Sequence, residues 1–223
     1  MESLINQMDK YSSRNLMLSF SQYTTCLTAG CLPKDSQLRE RLINLYMRLG
    51  LCRTINRSLD FLTCLHRCKL YGLGDQEKNS TTRLLTLLTN ISQLIYYPSE
   101  SIAWLCEAQV FKRSSQLFRA ISLSCWLISI IISIIINTIK FRKLHRQLNA
   151  ERKTKQQSSG IMNSACLTEL YKTMLGLVNS LCFLLNCIHW FPYKILWSGK
   201  LPLFVVGFNG TLATLCSGIQ SAI

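Results

Sequence analysis

Charge is scarce in this chain. Of its 223 residues only 16% are charged, against roughly 25% in an ordinary soluble domain. That is thin cover for a surface facing water on all sides, and the chain reads as membrane-associated. Acidic residues are scarcer still, 11 against 25 lysines and arginines, for a net charge of +14. Such a balance favours anionic partners, lipid headgroups or nucleic acid. No nucleic-acid-binding motif is present, and the bases are interleaved with Leu and Ile. The expected partner is therefore an anionic lipid bilayer and not nucleic acid.

Other absences narrow the class further. Residues 1–30 carry no apolar signal-peptide core and include Asp9, Lys10 and Arg14, so the eleven cysteines read as reduced thiols on a cytosol-facing protein. Without secretion, the sequons at Asn56, Asn79, Asn90 and Asn209 carry no weight. Tyr71 to Glu77, YGLGDQE, has G-x-G but lacks the third glycine of a dinucleotide fingerprint, and reads as a helix end and turn. Cys64, His66 and Cys68 have no spaced second pair to close a tetrahedral zinc site, and they read with Cys182 and Cys187 as small buried thiols. Three scattered histidines assemble no nucleophile, base and orienter. Neither an enzyme nor a cofactor or metal is expected.

What the chain does have is apolar length. Ala120 to Ile139, AISLSCWLISIIISIIINTI, is charge-free between Arg119 and KFRKLHR; as a helix at 1.5 Å per residue it is about 30 Å long, the thickness of a bilayer core. A second run extends from Leu201 or Pro202 to about Ile219. The run from Met174 to Ile188 is shorter and suits a re-entrant or interfacial helix better than a span. Lys140 to Gly160 is basic and hydrophilic, and its tail KTKQQSSG is the most linker-like stretch. The chain thus divides into a helical region (1–118), a first transmembrane helix (119–140), a basic linker or loop (141–173) and a C-terminal membrane region (174–223). The fold class is an all-α integral membrane protein, with an amphipathic helical N-terminal region and about two transmembrane helices.

Between the last two runs, IHWFPYKILWSGK sets rings beside lysines. Trp190, Tyr193, Lys194, Trp197 and Lys200 suit an interface belt, with rings at headgroup depth and ammonium groups reaching water. In the last helix Gly210, Thr214 and Gly218 fall on one face, a small-xxx-small pattern for close helix packing, within one chain or between two.

Farther upstream, Leu38, Leu42, Leu45 and Leu49 share a helical face, with Arg39, Arg41 and Arg48 largely off it. After Gly50 the stripe is re-phased as Leu51, Ile55, Leu59 and Leu62, opposite Arg53, Arg57 and Arg67. These are either helices of a bundle with solvated arginines or helices lying on an anionic bilayer. Leu84, Leu88, Ile91 and Ile95 make a third stripe, and Pro98 ends or kinks that helix.

Three stretches in order, YGLGDQE, NISQLIYYPSESIAW (Asn90 to Trp104) and IHWFPYKILWSGKLPLFVVGFNGT (Ile188 to Thr211), together resemble the peroxin-11 family, in its gamma type. SQYTTCL (Ser21 to Leu27) is similar to that family's N-terminal helix, here with only Arg14 as a base. The resemblance implies a peroxisomal membrane protein that elongates the membrane and promotes division. It also implies homo-oligomers and hetero-oligomers with paralogues, fission adaptors and a dynamin-related GTPase as partners, and both termini in the cytosol. With two spans, that orientation puts Lys140 to Lys155 in the lumen, against the positive-inside rule. A channel or transporter for small solutes is the alternative. Against an ion path, 120–139 and 201–223 contain no ionisable side chain.

Overall fold

The structure is a computed structural model that describes residues 11–77, 79–155 and 164–223. Among these, seven α-helices and no strands are found. They are α1 (Tyr11–Cys31), α2 (Gln37–Arg57), α3 (Asp60–Tyr71), α4 (Ser80–Glu107), α5 (Ser115–Lys155), α6 (Ser164–His189) and α7 (Leu203–Ala222).

The starts and stops follow local chemistry. The side chain of Asn79 caps α4 by accepting from the Thr81 N–H at 3.0 Å. Gly72 ends α3 at φ 54°, a left-handed geometry that costs a residue without Cβ little. Pro98 lies within α4 without ending it, so of the stop or kink expected there the stop does not occur.

Among the described residues three helices are long and apolar enough to cross a membrane: Ser115–Asn149, Ala165–His189 and Leu203–Ala222. The run read as 174–188 starts ten residues earlier, because Glu169 and Lys172 interrupt its hydropathy without interrupting the helix. The linker drawn over 141–173 is corrected likewise. Helix α5 continues through Lys155 and α6 begins at Ser164, while most of KTKQQSSG lies outside the described residues.

α5, α6 and α7 pack as successive antiparallel neighbours. Cys187 Sγ approaches the Leu123 carbonyl at 3.6 Å, and Ser133 and Ser180 pair at 3.1 Å. Asn186 donates to the Val206 carbonyl at 3.0 Å and Asn179 to the Ala213 carbonyl at 2.7 Å. With no water at these depths, amide-to-carbonyl bonds between helices give buried polar groups their partners.

Helices on the two sides of residue 118 pack against one another. α1 runs antiparallel along α7, and α4 packs as extensively along α5. α1 carries no charge between Arg14 and Lys34, nor α4 between Arg83 and Glu100. Their hydroxyls turn back onto their own helices, as Thr24 does to the Phe20 carbonyl at 2.8 Å and Thr89 to the Leu85 carbonyl at 2.9 Å. This satisfies them without solvent.

Candidate functional site

The α1–α7 seam is built on glycine. A Cβ on Gly207 would lie on the backbone of Leu27, one on Gly30 on the backbone of Phe204, and one on Gly210 in the Tyr23 ring. Only hydrogen at these positions lets the two backbones come this close. Gly218 is looser, with the Leu16 side chain at 3.5 Å. Thr214 is buried and bonds back to the Gly210 carbonyl at 3.0 Å. The small-residue face of α7 is therefore filled from within the chain. Gly30 and Gly207, which complete the seam, were missed because no spacing rule connects glycines that are remote in sequence.

Behind this seam four rings from different segments meet. Trp190 stacks on Tyr23 of α1 and on Trp126 of α5, with centroids 6.2 and 6.0 Å apart, and Phe183 of α6 touches both Tyr23 and Trp126. Trp190 accordingly faces the interior, a correction to its place in the interface belt. Trp197 is half-buried and donates to the Leu185 carbonyl at 3.0 Å. Tyr193, Lys194 and Lys200 are exposed beside them.

A cavity of about 920 Å³ opens between α1, α2, α4, α5 and α6. Arg53 and Arg57, read as facing lipid, line it instead. Arg53 lies over the Tyr23 ring, 5.6 Å from its centroid, and donates to Gln22 Oε1 at 2.6 Å. Arg57 pairs with Glu100 at 2.6 Å and keeps 23% of its side chain accessible. Burial opposes charge on Arg57, but Tyr96 and Glu100 outweigh it and hold this arginine above its ordinary value. Burial pushes the Tyr46 phenol up, so it lines the same cavity as a neutral hydroxyl.

The other residues expected to touch membrane are divided. Over the whole of α2 the apolar and charged side chains do not share two continuous faces, because the leucine stripe is re-phased at Gly50. Leu45 and Ile55 are exposed, Leu42 and Leu49 half-buried, Arg41 and Arg48 exposed and Arg39 half-buried. Clear segregation begins at α3 and α4. Leu59, Leu62 and Leu70 are exposed at 71%, 64% and 74%, while Cys64 faces α4. Leu84, Leu88, Ile91 and Ile95 are exposed along α4.

Among the described residues no cluster of His, Cys, Asp and Glu could hold a metal ion, and all eleven cysteines are free. Cys64 and Cys68 sit near Gln93 and the Asn90 carbonyl of α4.

The chain is 29% identical to Peroxisomal membrane protein 11C of Homo sapiens over all of its length and 94% of that protein. It is 28% identical to the Mus musculus protein of the same name, over 98% of the chain and 92% of the relative. No solved structure matches. The family model for Peroxisomal biogenesis factor 11 (PEX11) covers residues 1–222, and the chain belongs to that family.

Proposed function

We propose that this chain is a non-catalytic shaping protein of the peroxisomal membrane, elongating it ahead of division. The observation that carries the reading is the leucine-rich outer side of α3 and α4, exposed on a protein whose helices α5, α6 and α7 are long and apolar enough to span. Fully burying one such leucine contributes about 1.5–3 kcal/mol, and Arg67 and Lys69 on α3 add about 1 kcal/mol each near an anionic surface. Apolar area added in this way to one leaflet favours curvature. Association with further copies, with paralogues, and with the fission adaptors and dynamin-related GTPase that the family resemblance implies would then act on a membrane already curved.

The orientation belongs to the same proposal. If α5, α6 and α7 all cross, the segment joining α5 to α6 emerges on the same side as the C-terminus. Antiparallel packing on α7 brings the start of α1 to that side too. A cytosolic face there places Lys140, Arg142, Lys143 and Arg146 in the cytosol, as the positive-inside rule asks, and keeps both termini cytosolic. The conflict that two spans create disappears with the third.

The test replaces Leu62 and Leu70 by Glu in the full-length protein and measures organelle length in cells. Elongation is expected to be lost while the protein stays in the peroxisomal membrane. Normal elongation at normal abundance would contradict the proposal. A second reading, passage of small solutes, is favoured by the 920 Å³ cavity.

A further inference from the structure

The cavity holds more positive charge than its own carboxylates neutralise. Four arginines line it, Arg48, Arg53, Arg57 and Arg119, against two acids, Glu100 and Glu107. Arg57 pairs with Glu100 at 2.6 Å and Arg119 Nε donates to Glu107 at 3.0 Å. Arg48 and Arg53 have no carboxylate partner among the described residues. The Nε–H groups of both Arg53 and Arg57 are buried without an acceptor. A buried guanidinium N–H left unpaired is costly, and an anion with several oxygens is the natural acceptor.

The wall is also built to aim these groups. Arg53 and Arg57 are four residues apart on α2, hence on one face. Gln22 is buried at 7% exposure, packs where Gly50 leaves room, and holds Arg53 by its amide oxygen. The cavity follows α5 from Arg119 to Ser133, about 21 Å at 1.5 Å per residue. Its exposed end carries Arg48, Glu107 and Arg119, and its inner end carries Ser133, Asn179 and Ser180. A volume of about 920 Å³ is within the range of small-molecule sites.

We propose that this cavity is a binding site for a phosphate-bearing organic anion, with the phosphate held by the fork-shaped guanidinium groups of Arg53 and Arg57. Arginine suits this role because its planar donors meet two phosphate oxygens at once, where lysine offers a point charge. The phosphate can belong to a soluble ester or to the headgroup of a phospholipid entering from the bilayer. The inference rests on neither reading of the function given above.

The test uses the full-length protein in nanodiscs, with three probes. Adenosine monophosphate and inorganic phosphate are added to discs of zwitterionic lipid. Phosphatidylserine is titrated into such discs and followed by native mass spectrometry. Saturable binding in the soluble arm or the lipid arm identifies the source. That binding is expected to weaken by roughly tenfold or more in Arg53→Gln, equivalent to losing one charged hydrogen bond. Arg53→Lys, which retains charge, is expected to weaken it by a smaller factor. The paired variant Arg57→Gln with Glu100→Gln avoids stranding a buried charge and guards against misfolding of a single substitution. Fluorescence of Trp126 and Trp190 reports whether each variant is folded. Absence of saturable binding of all three probes, or binding equally tight in folded variants, overturns the proposal.

Discussion

Asn209 donates its side-chain N–H to the side-chain oxygen of Asn186 at 3.3 Å, and both residues are buried between α6 and α7. Asn186 has no accessible surface and also donates to the Val206 carbonyl at 3.0 Å. Replacing Asn186 by Leu removes both bonds while preserving bulk. Polar contacts between helices in lipid contribute about 0.6 kcal/mol on average and under 2 at most. The expected loss is therefore about 1 kcal/mol in reversible unfolding from detergent. A loss above about 4 kcal/mol would mean that Asn186 does more than tie α6 to α7.

The glycine seam gives a graded series. Gly207→Ala places a methyl on the Leu27 backbone, which cannot yield without parting α1 from α7. Overpacking of this kind costs about 1–3 kcal/mol. Gly218→Ala meets only the flexible Leu16 side chain at 3.5 Å and is expected to be neutral or slightly stabilising. Proteolysis of α1 in detergent, faster in the first variant and unchanged in the second, checks the pair.

For Arg57 and Glu100, 2.6 Å apart and each about one-fifth accessible, the effects are expected to be non-additive. Glu100→Leu strands a largely buried guanidinium and should destabilise by about 3 kcal/mol, whereas the double change to Leu at both positions should recover most of that. A double-mutant cycle on thermal unfolding measures the difference. Simple additivity would place the pair in a wetter site than the one described.

Much of the fold could be read from the sequence, and the gaps have physical causes. The charge-free run at 120–139 and the apolar C-terminal run announce themselves because lipid exposure demands continuous hydropathy. Helix α6 was shortened because Glu169 and Lys172 lie where the helix leaves the apolar zone. Helix α1 gives no hydropathy signal at all. Its buried face is Ser19, Gln22, Tyr23, Cys26 and Ala29, mostly small or polar groups whose partners, the glycines of α7 and Gly50 and Arg53 of α2, lie far away in sequence. The arginines of α2 expose a different limit: periodicity identifies which residues share a face, but the direction each face points depends on Tyr23, Gln22 and Glu100, supplied from other helices.

The account turns on α6 crossing the bilayer, since that crossing fixes which face each connection occupies. A site for tobacco etch virus protease inserted at residue 158, between α5 and α6, tests it in sealed peroxisomes. A matched site at Lys112, between α4 and α5, serves as the opposite face. With protease added from outside, cleavage at 158 and protection at 112 is the expected result. Protection at 158 while the C-terminus remains accessible would require an odd number of crossings after residue 158, where the three-span arrangement has two, and would contradict it.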